Sequence, residues 1–159
     1  MMIKITDGFI DQTTNEARQS SRLRMNFNFH QLQDPVNRML NALEPGTYIQ
    51  PHKHENPDRF EVFLALRGKF AVIIFDETGT ITDHIVLDPN MGNYGVEIPP
   101  KTYHTLIALE SGSVAYEIKE GPYMPAIAKN FAPWAPTEND ENAREYLHSL
   151  FTKTGLGNL

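Results

Sequence analysis

The sequence predicts an all-β barrel with a short helix before it and another after it. Three observations carry this prediction. From Val36 to Lys119, apolar and polar residues alternate in short runs that leave little room for helices. Turn-forming clusters separate those runs: Glu44-Pro45-Gly46, Asn56-Pro57-Asp58, Arg67-Gly68, Glu77-Thr78-Gly79, Asp88-Pro89-Asn90, Pro99-Pro100 and Ser111-Gly112. At the two ends the apolar residues fall instead at helical spacing. Many short strands at regular intervals mark a sandwich or a barrel.

Taken in order, Ile3 and Ile5 alternate with polar neighbours and predict a short strand. Phe9, Ile10, Thr13 and Ala17 then predict a helix. In Arg22–His30, Leu23, Met25, Phe27 and Phe29 alternate with polar residues, which makes a strand with one apolar and one polar face. The barrel strands are expected at Val36–Leu43, Tyr48–His54, Phe60–Arg67, Lys69–Asp76, Ile81–Leu87, Tyr94–Ile98, His104–Leu109 and Ser113–Lys119. Gly121 to Pro136 holds four prolines and reads as an irregular segment wrapped on the barrel, with Trp134 as its packing anchor. Thr137 and Asp140 resemble a capping box, and Ala143, Leu147, Leu150 and Phe151 form the apolar stripe of a closing helix.

With 159 residues the chain is expected to form one domain: an N-terminal helix and strand arm over 1–35, a barrel core over 36–120, and a wrapping tail with its helix over 121–159. The net charge of −6 argues against a nucleic-acid partner, which needs a basic stripe, and against an anionic membrane surface. The longest dense apolar stretch, Phe70 to Phe75, is far below the ~18 residues of a membrane span. The N-terminal residues carry no apolar run suited to a signal peptide, so the expected location is the cytoplasm. There is no cysteine, so a bound metal would be held by nitrogen and oxygen alone.

Two segments concentrate such ligands. In Gly46-Thr-Tyr-Ile-Gln-Pro-His52-Lys-His54, the histidines are two apart and project from one strand face, shared with Tyr48 and Gln50. The next strand opens with Glu61, whose same-face neighbours are Phe63, Ala65 and Arg67. Pro99-Pro-Lys-Thr-Tyr-His104 starts a later strand. Three imidazoles and a carboxylate suit one divalent transition metal: Zn, Fe, Mn, Ni, Co or Cu. Glu55 is a weaker carboxylate candidate, because it neighbours His54 and so takes the opposite face.

Gly46-x5-His52-x-His54-x6-Glu61-x6-Gly68 resembles the first cupin motif, and Pro99-x-Lys101-x2-His104 resembles the second. Asn37 to His54, Glu61 to Gly68, Asn93 to Pro100, Lys119 to Tyr123 and Phe131 to Pro136 are similar to the WbuC-type cupin-fold metalloproteins, over nearly the whole chain. The gap from His54 to Glu61 is longer than in the common cupin pattern. Lys101 stands at a frequent glycine and Ala108 at a frequent asparagine. The resemblance implies a cupin jelly-roll β-barrel with metal ligands His52, His54, Glu61 and His104. It also implies an association with bacterial surface-polysaccharide genes and a homodimer pairing through the Arg22–His30 strand.

Glu61 and Tyr103 are the candidate catalytic residues, and Tyr48, Gln50, Arg67 and Arg38 the candidate substrate-binding residues. Arg22 and Arg24 are further guanidinium candidates for gripping an anionic group. His30, His84 and His148 read as surface or hydrogen-bonded histidines. Three functions fit: a sugar or nucleotide-sugar isomerase or epimerase using the metal as Lewis acid, a metal-dependent dioxygenase, and a non-enzymatic module for a small ligand.

Overall fold

The segment Phe70–Phe75 is apolar throughout, without the alternation of a half-exposed strand, because both of its faces are covered. The computed structural model describes residues 2–124 and 129–157. Its elements are α1 (Asp7–Gln19), β1 (Arg24–Asn28), β2 (Val36–Leu43), β3 (His52–Lys53), β4 (Glu61–Arg67), β5 (Phe70–Phe75), β6 (Ile81–Leu87), β7 (Gly95–Ile98), β8 (Tyr103–Ala108), β9 (Ser113–Glu120), β10 (Asn130–Phe131) and α2 (Ala143–Thr154). Two five-stranded antiparallel sheets face each other, one ordered β1-β2-β9-β4-β7 and the other β10-β3-β8-β5-β6. This is the cupin jelly roll with a helix at either end, as the sequence predicts.

Three apolar layers follow from the two sheets. Between them lie Leu43, Phe63, Phe70, Val72 and Leu106. Outside the first sheet, α1 packs Ile10 and Ala17 on Leu40, Ala42 and Val114. Outside the second, α2 seats Leu147, Leu150 and Phe151 against Ile73, Phe75, Tyr103 and Ile107. Each large side chain buried in this way contributes about 1.5–3 kcal/mol, so the helices are integral to the barrel.

The differences from expectation have local causes. Ile3 and Ile5 are exposed and lie in no strand. The ladder expected over Tyr48–His54 forms only at His52–Lys53, because Pro51 has no N–H to donate. Instead the Pro51 carbonyl accepts from Ala132 N–H at 2.8 Å. The closing helix begins at Ala143, beyond the expected cap, because the Asp140 carboxylate accepts from Asn142 N–H at 2.9 Å and adds a turn first. Trp134 packs on Phe75 and Tyr103 as an anchor for the tail. Residues 125–128 of that tail lie outside the described residues. No helix among the described residues is long and apolar enough to cross a membrane.

Candidate metal centre

Strand parity places the ligands. In β8 the residues Tyr103, Thr105 and Ile107 alternate with His104, Leu106 and Ala108. The first set meets α2 and the tail, while Leu106 and Ala108 join the inter-sheet core. His104 therefore projects between the sheets. It pairs in register with His52 on β3. Glu61, the first residue of β4, comes from the opposite sheet. His52, His54, Glu61 and His104 are all buried, and one ligand atom from each lies within 4.8 Å of every other.

Backbone carbonyls orient two of the rings. His52 Nδ1 donates to Gln50 O at 3.0 Å, and His104 Nδ1 donates to Thr102 O at 2.9 Å. Each ring thus turns an Nε2 lone pair toward the cluster, the arrangement that metal-bound imidazoles use. Glu61 Oε2 sits 2.8 Å from His104 Nε2 and 3.3 Å from His54 Nε2. Burial lowers His52 well below the usual imidazole range and lowers His54 as well, so both are neutral and able to ligate near neutral pH. Burial alone would raise Glu61, but the Lys119 ammonium and the two imidazoles hold it well below the usual carboxylate range. The donor set is three nitrogens and one anionic oxygen with no thiolate, which suits a divalent metal.

A buried charged relay lies behind Glu61. Lys119 Nζ donates to Glu61 Oε1 and to Glu117 Oε1, each at 3.0 Å, and the Asn41 amide donates to the other oxygen of Glu117. Burial pushes Glu117 up to about 7, with Lys119 opposing and Glu61 adding to the shift. Asn41, Glu117, Lys119, Arg24, Asn28 and Tyr123 line a cavity of about 630 Å³ that His52, Glu61 and His104 also face.

The sequence missed Glu117 and Lys119, although their signal was present. In β9, Val114, Tyr116 and Ile118 alternate with Ala115, Glu117 and Lys119. The apolar set is the one that suggests a core. Yet Val114 and Tyr116 pack under α1 and β1, and the charged set faces the cavity.

The other expected site residues have separate surroundings. Tyr103 sits beneath Lys53, whose Nζ is 4.6 Å from its ring centre, and against Trp134. Tyr48 donates to Pro136 O at 2.8 Å, and Gln50 donates to Ala132 O and Ala135 O. Both were expected beside His52, but the break at Pro51 turns them to the tail. Arg67 was expected on the face of Glu61. A bulge between Ala65 and Arg67 sends its guanidinium to Asp11, Thr14 and Gly112 on the outer side. Arg38 bonds Asp34 and Phe29 O. Arg22 and Arg24 both clasp Glu138. His30 Nδ1 lies against the Arg38 backbone, 3.0 Å from its N–H and 2.9 Å from its carbonyl oxygen, and bonds one of the two according to its tautomer. Glu55 pairs with Lys53, away from the cluster. Lys101 adopts φ +65°, the left-handed conformation that a glycine would adopt freely, and bonds His54 O through its backbone N–H.

A jelly roll whose two sheets join three imidazoles to one carboxylate has the cupin fold and a cluster that suits a divalent metal. More particularly, the chain belongs to the family described as a domain of unknown function, DUF6016, which matches residues 5–87. No curated protein matches it. Among solved structures it is similar to the capsular polysaccharide assembling protein CapF from Staphylococcus aureus, with 18% identity and a TM-score of 0.58 over 70% of this chain and 30% of that one. It is also similar to KdgF from Halomonas sp., with 19% identity and a TM-score of 0.50 over 65% of this chain and 82% of that one. A third likeness, to the SPY1581 protein of unknown function from Streptococcus pyogenes, covers 78% of this chain and 92% of that one, with 15% identity and a TM-score of 0.51. At these identities the likeness establishes the fold. The chain spans less than a third of CapF.

Proposed function

We propose that this protein holds one divalent transition metal through His52, His54, Glu61 and His104. We propose further that it acts there on a sugar or nucleotide sugar of surface-polysaccharide biosynthesis, as an isomerase- or epimerase-like enzyme of the WbuC type. The observation that carries this reading is the buried three-histidine, one-glutamate cluster opening on a polar cavity of about 630 Å³. The likeness to a capsular polysaccharide assembling protein supports the sugar class, and a CapF structure with the inhibitor 3-isopropenyl-tropolone supports a small-molecule ligand.

When bound, the metal supplies a Lewis acid for a carbonyl or a pair of hydroxyl oxygens. The chain supplies the rest. His52 and His104 present fixed Nε2 atoms. Lys119 holds Glu61 to one coordinating oxygen. Asn41, Glu117 and Lys119 offer donors and acceptors to ligand hydroxyls from the cavity wall. This group flanks the cluster, whereas Tyr103 packs against the tail. The same reading takes the chain as one cytoplasmic domain that pairs as a homodimer along the free edge of β1.

Elemental analysis of untagged protein tests the metal, beside the variants His52→Ala and His104→Ala. One transition-metal ion per chain, lost in both folded variants, is the expected result. A wild type that stays metal-free after reconstitution would overturn the reading. Metal-dependent turnover across a panel of sugar phosphates and nucleotide sugars tests the enzyme class.

A further inference from the structure

Arg59 is 4% exposed, yet its Nε and Nη1 have no hydrogen-bond partner. The nearby carboxylates in sequence are engaged elsewhere. Asp58 pairs with Lys101 at 2.8 Å, Glu120 accepts from Phe60 N–H at 3.1 Å, and Glu61 holds Lys119. Among the described residues Arg59 makes no ion pair, and a buried guanidinium left unpaired costs several kcal/mol, so its place in the fold calls for an anion.

Its position is defined by the strand. Arg59, Glu61, Phe63 and Ala65 are buried and alternate with more exposed residues, so Arg59 extends the inward face of β4 beyond the metal ligand. Two residues along an extended chain place it about 6.5 Å from Glu61, backbone to backbone. A second unpartnered group lies on the same inner face. Asn37 is fully buried, and neither its side-chain oxygen nor its nitrogen has a partner. It stands directly opposite Lys119 on β9, and Lys119 stands opposite Glu61 on β4. Adjacent strands are about 4.8 Å apart, so Asn37, Lys119 and Glu61 form one row, with Arg59 a step beyond its end.

We propose that Arg59 and Asn37 form an oxyanion subsite beside the metal centre, taking a carboxylate or phosphate group of the ligand. The guanidinium donates charged hydrogen bonds to the oxyanion, and the Asn37 amide adds a neutral donor. The Asn37 carbonyl oxygen is left for a ligand hydroxyl. Neither residue lines the 630 Å³ cavity itself, so the oxyanion would reach them past Glu61 and Lys119, which do. The proposal rests on the sugar reading only in assuming that the ligand reaches this inner face from the cavity in front of Glu61.

The test is a calorimetric titration of metal-loaded protein with glucose 6-phosphate, glucuronate and glucose, in wild type and in Arg59→Lys, Arg59→Gln and Asn37→Ala. At least one acidic sugar is expected to bind ten-fold or more tightly than glucose, and the phosphate and carboxylate arms tell which group is held. Arg59→Gln should remove that advantage. Arg59→Lys should keep part of it, and metal content should not change. To keep the test independent of how the variants fold, inorganic phosphate and acetate are also compared with chloride at equal ionic strength, by thermal unfolding of the wild type alone. A higher midpoint with either oxyanion is expected. Equal midpoints in all three salts, together with no preference for the acidic sugars, would overturn the subsite. A subsite that responds to phosphate or acetate in a protein that binds no sugar would overturn the sugar reading alone.

Discussion

Lys119 Nζ donates a 3.0 Å hydrogen bond to Glu61 Oε1, the carboxylate oxygen turned away from the imidazoles. The ammonium keeps Glu61 ionised in a buried site and leaves Oε2 facing the imidazoles, where it could ligate a metal. Lys119→Met keeps the side-chain length and removes the charge. Burial then drives Glu61 upward, and protons compete with the metal for its oxygen. Metal affinity should fall by about ten-fold or more, as for the loss of other groups that orient ligands. The deficit should grow as pH is lowered from 8 to 6. Competition with a chromophoric chelator at several pH values measures this, and an affinity equal to wild type throughout would contradict the role.

The stability of metal-stripped protein should rise with pH between about 5 and 6.5. His52 and His54 are neutral in the fold because burial lowers both, and they gain protons on unfolding below about 6.5. The unfolded state then binds more protons, and each histidine adds stability as pH increases through this window. Glu117 acts in the opposite sense. It is pushed up to about 7, so the fold holds a proton that the unfolded chain releases above about 4.5. Glu117 therefore flattens the rise that the two histidines produce. Glu117→Gln removes the opposing contribution and should steepen the slope by up to about 1.4 kcal/mol per unit, one proton's worth. Urea unfolding across this range reads the difference, and an unchanged slope would mean that Glu117 is ionised in the fold.

What the sequence revealed and what it hid have a common physical cause. His52, His54, Glu61 and His104 were legible because motif spacing and strand parity agree at each of them. Tyr48 and Gln50 were read on the same parity, which fails across Pro51. Arg67 was read on a parity that fails at a bulge. The bulge leaves no strong local signature, whereas Pro51 itself marked the first break. Lys119 and Glu117 were hidden for a different reason. Both faces of β9 are buried, one under α1 and one at the cavity, so apolar character no longer marks the inside. Arg59 sits in the lengthened turn between His54 and Glu61, a region in which the motif specifies no residue.

Glu138 should contribute more to stability than the exposed half of its ion-pair cluster suggests. It receives Arg22, whose side chain is 60% exposed, and Arg24, whose side chain is 11% exposed. Arg24 also donates to Tyr48 O at 2.9 Å, so it joins β1 to the chain leading into β3 and, through Glu138, to the tail. Exposed pairs contribute about 0–1 kcal/mol, whereas leaving a buried cation partly unpaired costs about 1–3 kcal/mol. Arg22→Ala should therefore lower unfolding stability by less than about 1 kcal/mol, and Glu138→Ala by about 1–3 kcal/mol. In the double variant Arg24→Met/Glu138→Ala the stranded cation is gone, and part of that loss should be recovered relative to Glu138→Ala. Urea midpoints of the variants measure the order. If Glu138→Ala cost no more than Arg22→Ala, the tie between β1 and the tail would rest on the Arg24 bonds to Tyr48 O and to Thr47 Oγ1, at 2.9 and 3.3 Å, rather than on the carboxylate.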